Sequence, residues 1–181
     1  VTLGLDVADE DSVKEAAARI AAEDDRIHVI INNAAILAGR EGAIETLDLA
    51  VMQQVMDVNL YGSMRVVKHF LPLLVRGESS AIINVSSEAG SLHNAYGGDY
   101  PYAISKTALN MFTEQLRKLL SGDGVRVYAV HPGWMKTDMG GEQAPTDPKA
   151  SAQGIMDLAF GRVKPEGEFA FVDYQGRAMP I

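Results

Sequence analysis

The sequence predicts an α/β fold: one parallel sheet flanked by helices, in a single domain. Three observations carry that reading. Short apolar runs alternate with longer helical segments along the whole chain, as they do in parallel sheets built of βαβ units. Two of the runs, Ile27–Ile31 and Ala81–Val85, are nearly continuous in apolar residues, the pattern of strands buried on both faces. The polar clusters of interest fall just after such runs, at the sheet edge where open parallel sheets bind ligands.

In chain order, Val1–Leu5 reads as a short core strand ending at Asp6. Asp9 or Asp11 then caps a helix from about Ser12 to Ala22, with Val13, Ala17 and Ile20 near one face. Ile27–Ile31 is a strand that ends in Asn32-Asn33-Ala34. Leu47 to Val75 is largely helical, as two helices or one bent one, with Gly62 inside it and Pro72 and Gly77 marking its decline. Ala81–Val85 is the next strand, followed by a loop rich in Gly, Ser and Asn. Asp99-Tyr100-Pro101 opens a helix to about Leu120, which Gly122 and Gly124 terminate. Val125–Val130 is a strand, Pro148 starts a helix through Phe160, and Phe169–Val172 reads as the last strand.

Composition narrows the function classes. The chain has 181 residues, 47% of them hydrophobic and 22% charged, enough for one sizeable core. A formal charge of −8 argues against nucleic acid as a partner, since phosphates demand basic patches. With no cysteine, disulfides, thiolate catalysis and zinc–thiolate sites are excluded, and a reducing compartment, the cytoplasm by default, fits. The four histidines, His28, His69, His93 and His131, are scattered, so no metal site is expected. No apolar run approaches the roughly 20 residues that span a bilayer, so no membrane partner is expected either.

Tyr102 and Lys106 stand four apart near the start of a predicted helix and project from one face. A tyrosine is a poor acid–base at neutral pH, and a fixed ammonium nearby lowers its pKa toward the useful range. Taken alone the pair is weak, and a surface Tyr and Lys on a solvated face is its ordinary explanation. Ser87 closes a buried strand, where it either orients a substrate oxygen or makes a plain strand-to-loop turn. Asn59 lies inside a helix that its type disfavours, so it either has a polar task or sits at an exposed position. Asn33 and Ala34, at a strand end, make a simple turn or touch a ligand.

Together and in order, these segments resemble the short-chain dehydrogenase/reductase family: Asp6-Val7, Asn32-Asn33-Ala34-Ala35, Val58-Asn59-Leu60, Ile83-Asn84-Val85-Ser86-Ser87, Tyr102-Ala103-Ile104-Ser105-Lys106 and Pro132-Gly133-Trp134-Met135-Lys136-Thr137. The resemblance implies a Rossmann-like sheet and an NAD(P)-dependent oxidoreductase that interconverts a carbonyl and a secondary alcohol. It implies Tyr102 as general acid and base, Lys106 lowering its pKa and holding the nicotinamide ribose, and Ser87 orienting the substrate oxygen. Asn59 would hold a proton-relay water. For NAD or NADP, Asp6 and Val7 match the adenine contacts, Asn33 and Ala34 the adenosine ribose side, and Met135 and Thr137 the nicotinamide amide region. The helices Leu60–Val75 and Tyr102–Leu120 match the family's dimer interface, implying a homodimer or homotetramer. The residues His93–Asp99 and the ending from Gly167 to Arg177 resemble the C-signal-like branch of carbonyl reductases.

One family feature is missing from the sequence. It contains no Gly-x-x-x-Gly-x-Gly turn, whose backbone N–H groups anchor the cofactor's pyrophosphate. Val1 matches the start of the family's third strand, so the domain reads as N-terminally truncated, with the first two strands and helices absent. Two outcomes follow: the first strand moves beside Ile27–Ile31 to give a five-strand sheet, or a second chain covers the gap. A noncatalytic homologue acting as a dimerising or binding module is the alternative to an enzyme.

Overall fold

The structure is a computed structural model that describes residues 2–23, 26–40, 42–77 and 79–181. Its sheet has four parallel strands in the order β1 (Val29–Asn32), β2 (Ala81–Val85), β3 (Arg126–His131) and β4 (Phe171–Asp173). Register is fixed by the pairs Ile30 with Ile82, Ile82 with Val127, and Val130 with Val172. Strand side chains alternate between faces, and each face has its own core. Ile30, Ile82 and Val127 pack with Val67, Leu116 and Leu120. Those partners belong to α3 (Ser63–Phe70), α4 (Tyr100–Leu119) and the turn that closes α4. Ala81, Ile83, Val85, Val130 and Val172 pack on the other face with Ile155, Leu158 and Ala159 of α5 (Pro148–Ala159). The result is a Rossmann-like sheet with helices on both faces.

The expected cap of the first helix forms. Asp9 accepts the Asp11 N–H at 3.0 Å, so α1 (Glu10–Glu23) starts slightly before the sequence suggested. Asp48 caps α2 (Leu49–Met56) and Asp147 caps α5 in the same way. The long helical stretch is one bent unit: α2 runs through a π-helical segment, Asp57–Gly62, into α3, and a 3-10 turn at Leu71–Leu73 ends it where Pro72 stands.

One expectation fails. Val1 lies outside the described residues, and residues 2–6 form no strand, so the five-strand sheet does not exist. A strand needs a neighbouring ladder, and a cleft of about 300 Å³ lined by Leu5, Val7, Ile31 and Val58 separates this segment from β1. The Asp6 N–H turns instead to Ser12 Oγ at 3.0 Å. Among the described residues β1 therefore has a free outer edge, with Leu5 and Ile31 each 39% exposed.

Candidate active site

The carboxyl end of β2 delivers Ser87. Ser86 donates its N–H to Val130 O at 2.8 Å and its hydroxyl to Asn110 Oδ1 at 2.6 Å. Asn110 in turn donates to Gly90 O at 3.2 Å, tying the loop to α4. Ser87 is extended and heads a short 3-10 turn, Glu88–Gly90, its Oγ accepting the Ala89 N–H at 3.2 Å. A Cβ on Gly90 would stand 2.8 Å from the Lys106 backbone, so glycine is what lets this turn lie on α4. From β3, His131 Nδ1 accepts the Glu88 N–H at 3.1 Å. That bond needs a neutral ring, and burial, by pushing the His131 pKa down, favours one.

Helix α4 delivers Tyr102 and Lys106 on one face, as their spacing implies. Lys106 is buried at 2% exposure, and its Nζ donates to Val85 O at 2.8 Å and lies 5.6 Å from the centre of the Tyr102 ring. Burial pushes its pKa down to about 8. The Tyr102 phenol stands above its ordinary value, because burial outweighs its hydrogen bond with the Ser87 hydroxyl, and the Asp99 carboxylate raises it further. The sequence led one to expect the ammonium to lower this phenol. In the folded protein desolvation acts on both groups and takes the phenol the other way.

Asn59 sits within the π-helical segment Asp57–Gly62. It is completely buried, and its amide clasps a backbone from another loop: Oδ1 accepts the Ile36 N–H at 2.8 Å, and Nδ2 donates to Ile36 O at 3.0 Å. The same Nδ2 lies 3.0 Å from Ser105 Oγ, next to Lys106. Such bulges recur at functional sites, where they re-aim a side chain. Asn59→Ala orphans both polar groups of Ile36, at about 1–3 kcal/mol for each. We expect a matching fall in the urea midpoint at unchanged m-value.

Two clefts gather the remaining candidates. The larger, about 540 Å³, opens at the carboxyl edge of the sheet and is lined by Ser87, Tyr102, Met135 and Thr137, with Leu37, Tyr96, Trp134 and Met139 as apolar wall. The loop bearing Met135 and Thr137 is held by backbone bonds between Thr146 and both Trp134 and Lys136, and by the Trp134 indole on Gly140 O at 2.7 Å. The smaller cleft, beside β1, brings together Val7, Asn33 and Ala34. Asp6 joins neither: it is exposed, and its carboxylate accepts the Ala8 N–H at 2.9 Å.

For a dinucleotide the fit is divided. The larger cleft offers Tyr102, Met135 and Thr137 to a nicotinamide ribose end, and the smaller offers Asn33 and Ala34 to an adenosine end. The first helix, α1, opens with Glu10 and Asp11, a first turn that repels phosphate rather than cradling it. The sequence marks Tyr96 and Asp99 only as part of the segment His93–Asp99, and it assigns no role to Arg40 at the cleft wall, nor to Asn110 and His131 behind Ser87. The bonds of Arg40, His131 and Asn110 span 20 to 59 residues, beyond any local signal, whereas Tyr96 meets Asp99 three residues on.

A family model described as short chain dehydrogenase matches residues 1–148. Among characterised relatives, C-signal from Myxococcus xanthus is 37% identical over 155 residues, covering 85% of this chain and 92% of that protein. Short chain dehydrogenase pigC from Monascus ruber is 41% identical over 138 residues, 76% of this chain and only 45% of that protein. Of solved structures, the NADPH-bound carbonyl reductase from chicken fatty liver superposes with a TM-score of 0.86 at 31% identity, covering 100% of this chain and 77% of that one.

Proposed function

The chain belongs to the short-chain dehydrogenase family, and from that premise we propose that it interconverts a carbonyl and a secondary alcohol with NAD or NADP, Tyr102 serving as acid and base. The observation that carries this reading is the meeting of Ser87, Tyr102, Met135 and Thr137 on one cleft at the carboxyl edge of the sheet. The cofactor supplies the hydride. The protein's part is to hold the carbonyl carbon in line and to manage the proton.

The substrate oxygen sits between the Ser87 hydroxyl and the Tyr102 phenol. Tyr102 donates its proton as negative charge builds on that oxygen, and in the reverse direction it takes the proton back. A phenol held above its ordinary pKa is fully protonated at neutral pH, which suits carbonyl reduction better than alcohol oxidation. Lys106, positively charged for the most part below pH 8, faces the ring and stabilises the phenolate left behind. It also holds the nicotinamide ribose. Asn59 supports this arrangement through Ser105 and the loop after β1, and its helical segment holds the water that returns a proton to Lys106. Val7, Asn33 and Ala34 would serve the adenosine end, and Met135 and Thr137 the nicotinamide amide, while Asp6 stays outside both clefts.

Substrate contacts come from Leu37, Tyr96, Trp134 and Met139, which favour a small or medium carbonyl compound with an apolar body. The test is NADPH oxidation, followed by absorbance, across a panel of such aldehydes and ketones. Turnover with none of them opposes the reading. A homodimer or homotetramer is supported by Tyr61, Met64, Ile104 and Met111, exposed apolar residues on the two helices the family uses to associate. A cytoplasmic setting accords with the lack of cysteine.

One observation favours a second reading, a binding module without turnover. C-signal, the relative matched over 92% of its length, carries the name of a signal rather than of a reductase. The two readings part on whether the large cleft takes a nicotinamide.

A further inference from the structure

Among the described residues Asp99 is the sole non-glycine with a positive φ, at 48°. This left-handed conformation is unfavourable for an L-residue and persists where the surroundings over-determine it, commonly beside an active site. Asp99 heads α4, three residues before Tyr102, and its carbonyl accepts the Ala103 N–H at 2.9 Å. Its carboxylate does not cap the helix. It turns away to accept the Tyr96 phenol at 2.6 Å and Arg40 Nε and Nη2 at 3.2 and 3.3 Å. The Asp99 side chain is only 9% exposed, and all three residues line the large cleft.

We propose that Asp99 is a positioning residue for Tyr102: by gathering Tyr96 and Arg40, its carboxylate pins the loop before α4 and the loop after β1 against the first turn of α4, and so fixes where the Tyr102 hydroxyl stands in the cleft. The proposal rests on Tyr102 as the proton-transferring group, but its test needs no turnover. The groups facing Tyr102 are the Ser87 hydroxyl from the loop after β2, Lys106 one turn along α4, and Asp99 and Tyr96 from the preceding loop. Across the cleft stand Glu88, His131 and Arg40. Asp99 is the anion among them that raises the phenol.

The experiment is a pH titration of the full chain labelled with 13C at tyrosine Cζ, the Tyr102 resonance being the one lost in Tyr102→Phe. Asp99→Asn removes the charge, and asparagine tolerates the left-handed backbone, so the Tyr102 midpoint falls. Arg40→Gln leaves the Asp99 charge unopposed, so the midpoint rises. The Arg40 side chain is 63% exposed, so this second variant keeps the fold and decides alone if Asp99→Asn does not fold. The proposal expects opposite shifts at Tyr102 with Tyr128, whose surroundings include neither Asp99 nor Arg40, unchanged. A merely structural Asp99 would lower the thermal midpoint and leave the Tyr102 titration in place. Unmoved midpoints, or shifts of the same sign, overturn the proposal.

Discussion

Tyr102→Phe is expected to cut NADPH-dependent carbonyl reduction by about 10²–10⁴-fold, the range a positioned proton donor supplies. The ring that fills the space beside Lys106 is kept, so the fold and the substrate's apolar contacts survive, and the loss falls on kcat rather than on KM. Circular dichroism and the thermal midpoint should match the parent. Retained turnover would refute the assignment outright, because the rival tyrosines of the same cleft region do not fit. The Tyr96 phenol is held as a hydrogen-bond donor to Asp99, which helps push its pKa up to about 12, and neither Tyr96 nor Tyr100 has a lysine one turn along.

The second large effect concerns stability. Lys106 has a pKa of about 8 in the folded protein against an ordinary 10.5, because burial penalises the ammonium. Between those values the unfolded chain binds the extra proton, so stability rises with pH across about 8 to 10.5. Below pH 8 both states are protonated and the full penalty is present, on the order of 3 kcal/mol at about 1.4 kcal/mol per unit. Lys106→Met removes the titrating group. The difference in unfolding free energy between parent and variant should therefore change by that amount from pH 7 to pH 10.5, read by urea denaturation at each pH. A difference constant in pH would show that the lysine is solvated. The same variant should lose turnover, so the folded protein carries a strained cation that its chemistry needs.

Much of this site was legible in the sequence because it depends on local spacing. Tyr102 and Lys106 share a helix face whatever the helix packs against, and the apolar run of β2 announces a strand buried on both faces; that of β1 announces a strand, but one whose Ile31 is 39% exposed. Val1–Leu5 looked like a strand for the same reason, yet strand identity requires a ladder, and residues 2–6 form none, with Leu5 lining a cleft instead. Asn59, in its π-helical turn, bonds Ile36, 23 residues away. The left-handed Asp99 bonds Arg40, 59 residues away. The direction of the Tyr102 shift was misjudged because charge proximity can be guessed from spacing, whereas desolvation is a property of the assembled cleft.

On the proposed function the large cleft takes the nicotinamide end of the cofactor, with no Gly-rich phosphate turn among the described residues. Titration of the chain with NADPH, followed by nicotinamide fluorescence, tests it most directly. The account predicts weak saturable binding, with a Kd of about 0.1–1 mM, or roughly −5.5 to −4 kcal/mol. Absence of any saturable signal at several times the upper end of that range would contradict it and leave the binding-module reading in its place.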